Sequence, residues 1–219
     1  MAEPLQDGEH FAQVVARAGF FNFRQVWESD ANQALRERRR SPHVLLEGDE
    51  VGVPEVVPKT VEVQSGFVHR FTLKGPPLKV RISLRGFGGE PLAGLAARLA
   101  CGERASEPPS GDDGVVELVI PNSAAAATLT VEGLESPVEI GRLAPIEEEK
   151  GWRARLVNLG YLAPPPEAPE AASGGAGETA GDADEGRSAL EEFQCDHGLE
   201  LTGEPDPATL AKLEEVHGC

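Results

Sequence analysis

The sequence predicts a multidomain α+β protein. Three observations carry that prediction: helical apolar spacing near both ends, a two-residue alternation in the middle, and an acidic Pro, Ala and Gly-rich stretch interrupting the C-terminal helices. With 219 residues, 26% of them charged and 40% hydrophobic, the chain has room for two ordinary domains or three small ones. The expected division is 1–57, 58–146 and 147–219.

At the N-terminus, Phe11, Val14 and Val15 share a helix face, and Val26 and Trp27 begin a second helix near Asn32. "SPHVLLEGDEVGVPE" then closes the unit with Pro42, Leu45, Gly48, Val51, Val53 and Pro54. With Gly8 to Phe11 ahead of the first helix, this pattern resembles the LysM module, a strand-helix-helix-strand (βααβ) unit. The first strand leaves little trace in the sequence. The resemblance implies binding to N-acetylglucosamine-containing glycans between two loops, one holding Gly8, Glu9, His10 and Phe11 and the other Pro42, His43, Val44 and Leu45. The loop backbones would make the amide contacts, with His10 and His43 at the rim.

In the middle, "KVRISLR" (79–85) alternates Val80, Ile82 and Leu84 with Lys79, Arg81, Ser83 and Arg85. "TVEVQSGFVHRFTL" (60–73) offers two more candidate strands around Gly66, and "VVELVIP" and "ATLTVEG" follow the turn "GDDG" at 111–114. About seven short strands are expected, which is the pattern of a β-sandwich. The order of "GEPLAG", the Asp-Gly turn and "VELVIP" resembles the Cna-B or carboxypeptidase-regulatory class of immunoglobulin-like domains, implying a spacer.

In the C-terminal region, "EEEKGWRARLVNLGYL" (147–162) puts acids at a helix start, Trp152, Leu156 and Leu159 on one face and Gly160 at the stop. Ala189, Leu190 and Phe193 continue at helical spacing, Gly198 punctuates, and Leu199 and Leu201 form a short apolar rung. Asp206 is a natural N-cap, Pro207 suits the first helical position, and Leu210, Leu213 and Val216 mark the last helix. The stretch 163–187 cannot bury enough apolar surface to offset its ordering entropy, so a disordered insertion is expected there. Without it, Leu156, Leu159, Gly160, Tyr161, Phe193, Gln194, Gly198, Leu199, Gly203, Asp206, Thr209 and Leu210 resemble the motifs of the three-helix peptidoglycan-binding domain. The resemblance implies a ligand groove that involves Tyr161, Phe193 and Gln194. The family's short aspartate-glycine-x-phenylalanine-glycine turn is absent, and the acidic insertion stands in its place.

Charge and cysteine content narrow the function. The net charge is −17, and residues 147–219 hold 5 basic and 17 acidic side chains. A chain this acidic is repelled by phosphate backbones, so nucleic acid is not an expected partner. "RERRR" (36–40) reads as a solvated helix end. No apolar run is long enough to span a bilayer, and the first residues lack the pattern of a secretory signal, so synthesis is expected to finish in the cytoplasm, with action there or at the cell envelope after non-classical export. Cys101, Cys195 and Cys219 make no disulfide framework. "CDH" at 195–197 and "HGC" at 217–219 offer zinc-type ligands, but a one-residue gap on a helix splays them, so free thiols are expected ahead of a Cys195–Cys219 disulfide or a metal.

No catalytic constellation is expected. The acids lie in exposed runs without an apolar pocket, His10, His43, His69, His197 and His217 are scattered singly, and Cys101 has no nearby histidine. "GFGGEPLAG" precedes no Lys-Ser/Thr helix. The expectation is therefore a non-catalytic bacterial protein that binds peptidoglycan glycan strands, with no cofactor and no metal. Three-module chains of this kind also resemble accessory proteins of type VI secretion spike and effector clusters. That resemblance implies an alternative role, an adaptor or chaperone linking an effector to a contractile secretion spike or phage-tail-like baseplate.

Overall fold

The computed structural model describes residues 2–58, 60–72, 75–86, 88–164 and 180–218. The chain divides into two compact units, Met1–Arg142 and Leu143–Cys219. The first is mixed α and β; the second is helical.

The first unit opens with strand β1 (Ala2–Pro4), helices α1 (Phe11–Arg17) and α2 (Phe23–Trp27), a 3-10 turn at Asp30–Asn32, helix α3 (Gln33–Arg39) and strand β2 (Glu50–Gly52). β1 and β2 pair antiparallel, with Ala2 opposite Gly52. A strand, helices and a closing strand therefore follow in the expected order, β1 being the element with little sequence trace. Asn32, 1% exposed, holds the closure together. Its side-chain amide donates to the carbonyls of Val26 (2.8 Å) and Gly52 (2.7 Å), while its carbonyl accepts the Gly52 N–H at 2.7 Å.

The run "RERRR" closes α3 with Glu37, Arg38 and Arg40 exposed, the expected solvated helix end with cations in its last turn, and it makes specific bonds besides. Arg36 donates to the carbonyls of Trp27 and Ser29, and Arg38 and Arg39 clamp the buried carboxylate of Asp49 at 2.8 Å each. Asp49 also accepts the Leu46 N–H, so its carboxylate fixes the loop between α3 and β2, while Arg36 ties α3 to the end of α2. Alternating charges could not reveal this, because the partner acid lies ten residues downstream.

Six further strands follow: β3 (Leu78–Ser83), β4 (Ala97–Cys101), β5 (Arg104–Ser106), β6 (Val115–Ile120), β7 (Ala126–Val131) and β8 (Leu134–Glu139). β3 pairs with β6, and the second sheet runs β5-β4-β7-β8, all antiparallel. Alternate residues of β4, β6 and β7 point inward, and Leu99 and Val116 are fully buried. Two expectations need correction. Among the described residues, 60–72 contain no strand; their alternation meets no neighbouring ladder. β8 leaves no strand signal in the sequence, because "LESPVE" is largely polar, exposed except at half-buried Val138, and carries Pro137, which suits only an edge strand.

The helices and sheets of this unit share one apolar core that runs from Leu5, Phe11 and Val26 to Leu99, Leu118 and Ile140. Residues on either side of position 57 are joined by polar links as well: Asn122 donates to the Phe21 carbonyl at 2.8 Å, and His10 Nε2 bonds the Ala124 carbonyl at 2.7 Å. The division found thus lies at 142/143.

The second unit contains α4 (Glu149–Leu159), α5 (Ala180–Asp196) and α6 (Pro207–His217). Gly160 ends α4 with φ +88°, and Asp206 caps α6 by accepting the N–H groups of Ala208 (3.0 Å) and Thr209 (2.9 Å). Trp152, Leu156, Leu190, Phe193 and Leu213 form its core, with Leu159, Leu199 and Leu210 against it. Leu201 and Val216 are exposed and take no part, contrary to the sequence pattern. The expected disordered stretch 163–187 is shortened, since 180–187 are the first turns of α5. Ala and acidic residues at a helix start favour that helix more than composition alone suggests. Positions 165–179 lie outside the described residues.

Candidate functional site

Gln194 is the organiser of the helical unit. It is fully buried on α5, and its side-chain amide donates to Thr202 Oγ1 (2.8 Å), Thr209 Oγ1 (2.9 Å) and the Glu204 carbonyl (3.1 Å). Its carbonyl accepts the N–H groups of Thr202 and Gly203, both at 3.0 Å. One side chain thus replaces a backbone ladder for the 202–206 loop. Asp206 completes the network, its Oδ2 accepting the hydroxyls of Thr202 and Thr209 at 3.0 Å each. These bonds hold its carboxyl below the usual range, the Thr209 N–H contributing most.

This placement corrects the expected groove of Tyr161, Phe193 and Gln194. Phe193 and Gln194 are both 0% exposed, so a ligand cannot reach either side chain without opening the unit. Tyr161 is half-buried, edge-on to Phe193 at 5.3 Å, and its hydroxyl donates to Asp196 Oδ2 at 3.0 Å. Burial first, then Asp196, pushes the phenol up to about 12, and it stays protonated. All three residues position the loop and helix ends.

The exposed surface beside this network is a shallow depression of about 290 Å³, bounded by Glu149, Trp152 and Arg153 of α4, Arg187 and Leu190 of α5, and Gly203 and Pro205 of the stapled loop. Its floor is apolar and its walls carry guanidinium groups. Arg153 lies over the Trp152 ring at 5.3 Å and meets Glu149 at 3.1 Å; Arg187 meets Glu191 at 3.0 Å, with its side chain 64% exposed. The exposed Arg187–Glu191 pair contributes little and exchanges readily for another carboxylate, whereas the Arg153 side chain is only 22% exposed. Chemically, the depression suits a carboxylate on a short apolar stem. In the sequence Trp152 reads as core and Arg153 and Arg187 carry no pattern of their own; the adjacent Trp-Arg pair in "GWRAR" is the available signal.

Close packing shapes the same corner. A Cβ at Gly186 would lie 2.4 Å from Arg153 Nη1, and one at Gly151 would lie 1.7 Å from the Pro145 carbonyl oxygen. Arg155, 1% exposed, donates to the carbonyls of Ala144 (3.0 Å) and Gly151 (2.9 Å) and ties the entry segment to α4.

In the first unit the His43 pKa is lowered by burial first and then by the charge of His10 in the other expected loop. Gly8 has φ +72° and lies under Arg142, whose Nε is 3.1 Å from where a Cβ would stand. Glu9 pairs with Arg17. His10 is 6% exposed, which corrects its expected place at a rim: it is sealed by Ala124 and by Gly141, where an added Cβ would come within 2.4 Å of it. Phe11 is 1% exposed and packs edge-on to Trp27 at 5.2 Å, and Leu45 is 8% exposed. Pro42 and Val44 are half-buried, and His43 is exposed with its ring edge-on to Phe23 at 5.7 Å. Burial lowers the His10 pKa, against the pull of the Ala124 carbonyl and Glu9. A second open depression, lined by Asn22, Arg24, Gln25, Glu28, Ser29 and Pro76, lies outside both expected sites.

Of the residues in the mirrored Cys and His set, Cys195 is exposed, His197 stacks obliquely on Phe193 at 4.4 Å and His217 lies 3.1 Å from the Asn158 amide; Cys219 lies outside the described residues. Among the described residues, no helix is long and apolar enough to cross a membrane.

Residues 153–213 match the family model described as "Putative peptidoglycan binding domain". No curated protein and no solved structure matches the chain. The matched segment runs from α4 through α6 and includes Arg153, Arg187, the Gln194 network and Pro205.

Proposed function

We propose that the protein is a non-catalytic bacterial peptidoglycan-binding protein whose C-terminal helical unit makes the principal contact with the wall polymer. The family match over 153–213 carries this reading. The depression walled by Arg153 and Arg187 and floored by Trp152, Leu190 and Pro205 supports it, because the peptides of the wall polymer present carboxylates on short apolar stems. Binding at the LysM-like N-terminal unit would use the backbone of Gly8 and Glu9 and the exposed His43, since Phe11, His10 and Leu45 are enclosed. The protein would act in the cytoplasm or at the cell envelope.

A second reading follows from that enclosure. An N-terminal unit whose first expected loop is largely sealed by Arg142, Ala124 and Gly141 fits protein contacts better than a sugar groove. It supports the adaptor or chaperone role toward a secretion spike or its effector. Co-sedimentation of the purified chain with peptidoglycan sacculi, followed by assay of the supernatant for released fragments, separates the readings. The proposed function expects the chain in the pellet and no soluble fragments; a chain left in the supernatant at every concentration favours the adaptor, and release of fragments contradicts the non-catalytic assignment.

A further inference from the structure

Between β2 and β3 every described residue from 55 to 72 is exposed. Seven of the twelve exposed large apolar side chains among the described residues lie there, including Val57 (84%), Phe67 (70%), Val68 (102%) and Phe71 (69%). This is the pattern of an unpaired strand hairpin. Val61 and Val63 alternate with polar neighbours, Gly66 turns the chain at φ +86°, Phe67 and Phe71 lie four apart on the return limb, and His69 Nε2 bonds the Gln64 carbonyl at 2.7 Å across the turn. Monomeric proteins seldom leave a contiguous apolar patch of this kind open to water.

The same unit contains a sheet that lacks a strand. Among the described residues β3 pairs only with β6, so its other edge presents unpaired backbone groups. The core is also thinnest on that side. Val80 and Ile82 of β3 are half-buried, whereas Val116, Leu118 and Ile120 of β6 are buried.

We propose that residues 60–72 form a docking arm whose occupant is a second copy of this chain, each arm adding to the open β3 edge of the other copy. Arm and edge reside on one polypeptide, so a two-fold exchange satisfies both at once. The area is sufficient. Covering Val61, Val63, Phe67, Val68 and Phe71 of the arm removes on the order of 500 Å² per copy, and the β3 edge covered in exchange brings this toward the roughly 800 Å² per partner of a standard stable interface.

Sedimentation and light scattering of the full chain in reducing buffer, from about 5 to 100 µM, test this together with amide hydrogen exchange. The proposal expects a concentration-dependent mass of twice 23.2 kDa, with slowed exchange at 60–72 and 78–83. It expects Val63→Lys with Phe67→Asp to be monomeric and to lose that protection; both positions are exposed, so circular dichroism and melting temperature should hold. A wild-type chain monomeric at about 100 µM overturns the proposal, including one whose arm is protected on its own sheet. So does a dimer that survives the double substitution, or one in which β3 exchanges as in the variant.

Discussion

Single side chains carry much of the architecture. Gln194 spends its whole hydrogen-bonding capacity on one loop, so Gln194→Ala leaves buried N–H groups and hydroxyls unmatched and should destabilise the helical unit by about 2–4 kcal/mol. Thermal denaturation of the full chain should show the loss in the helical signal; a change below about 0.5 kcal/mol would mean that water or a rearranged Thr202 replaces the amide. His10 gives the first unit a pH dependence with a fixed sign. Burial holds its folded pKa below the ordinary histidine value of 6.5, so the folded state resists a proton that the unfolded chain accepts. The stability contributed by neutral His10 is full above about pH 6.5 and declines as pH falls toward the folded pKa. Melting temperatures measured from pH 7.5 to 5 should fall, and less steeply in His10→Gln. Parallel slopes in the two proteins would assign the decline to other groups.

Elements were legible in the sequence to differing degrees, for reasons visible in their packing. The helix stop at Gly160, the Asp206 cap and the apolar stripes of α4 and α5 follow local rules, and each appears where spacing and capping chemistry place it. β1 is hidden because it has only three residues, and β8 because it is a largely polar edge strand carrying Pro137. Residues 60–72 show the opposite case, in which a strand pattern is present and no ladder receives it. The expected sites were less legible still. Phe193 and Gln194 are motif residues that act from inside the unit, while Arg153 and Arg187 reach the surface depression only because α4, α5 and the stapled loop converge there. The same convergence makes α4 sensitive at its start. Gly151→Ala should improve intrinsic helix propensity by about 1 kcal/mol, yet its Cβ would strike the Pro145 carbonyl, so a net loss of stability is expected. Urea denaturation of Gly151→Ala would contradict the packing described if its midpoint rose.

At the scale of the whole molecule, two units of different character share one chain. The first joins a strand-helix unit and two antiparallel sheets through a common core, and the second is a helical unit, matched over 153–213 by a putative peptidoglycan-binding domain model and stabilised by an internal polar network. The strong acidity of residues 147–219 makes the guanidinium-walled depression the local exception, and a carboxylate ligand would be drawn to it against the general field. Arg187 is the informative position, since its exposed side chain can be reversed in charge without disturbing the core. The most direct measurement is therefore equilibrium co-sedimentation of the full chain and of Arg187→Glu with peptidoglycan sacculi at low ionic strength, with circular dichroism to verify the fold. The account predicts saturable binding by the wild-type chain and at least tenfold weaker binding by the folded variant. Equal binding by the two proteins, or no binding by either, would contradict it.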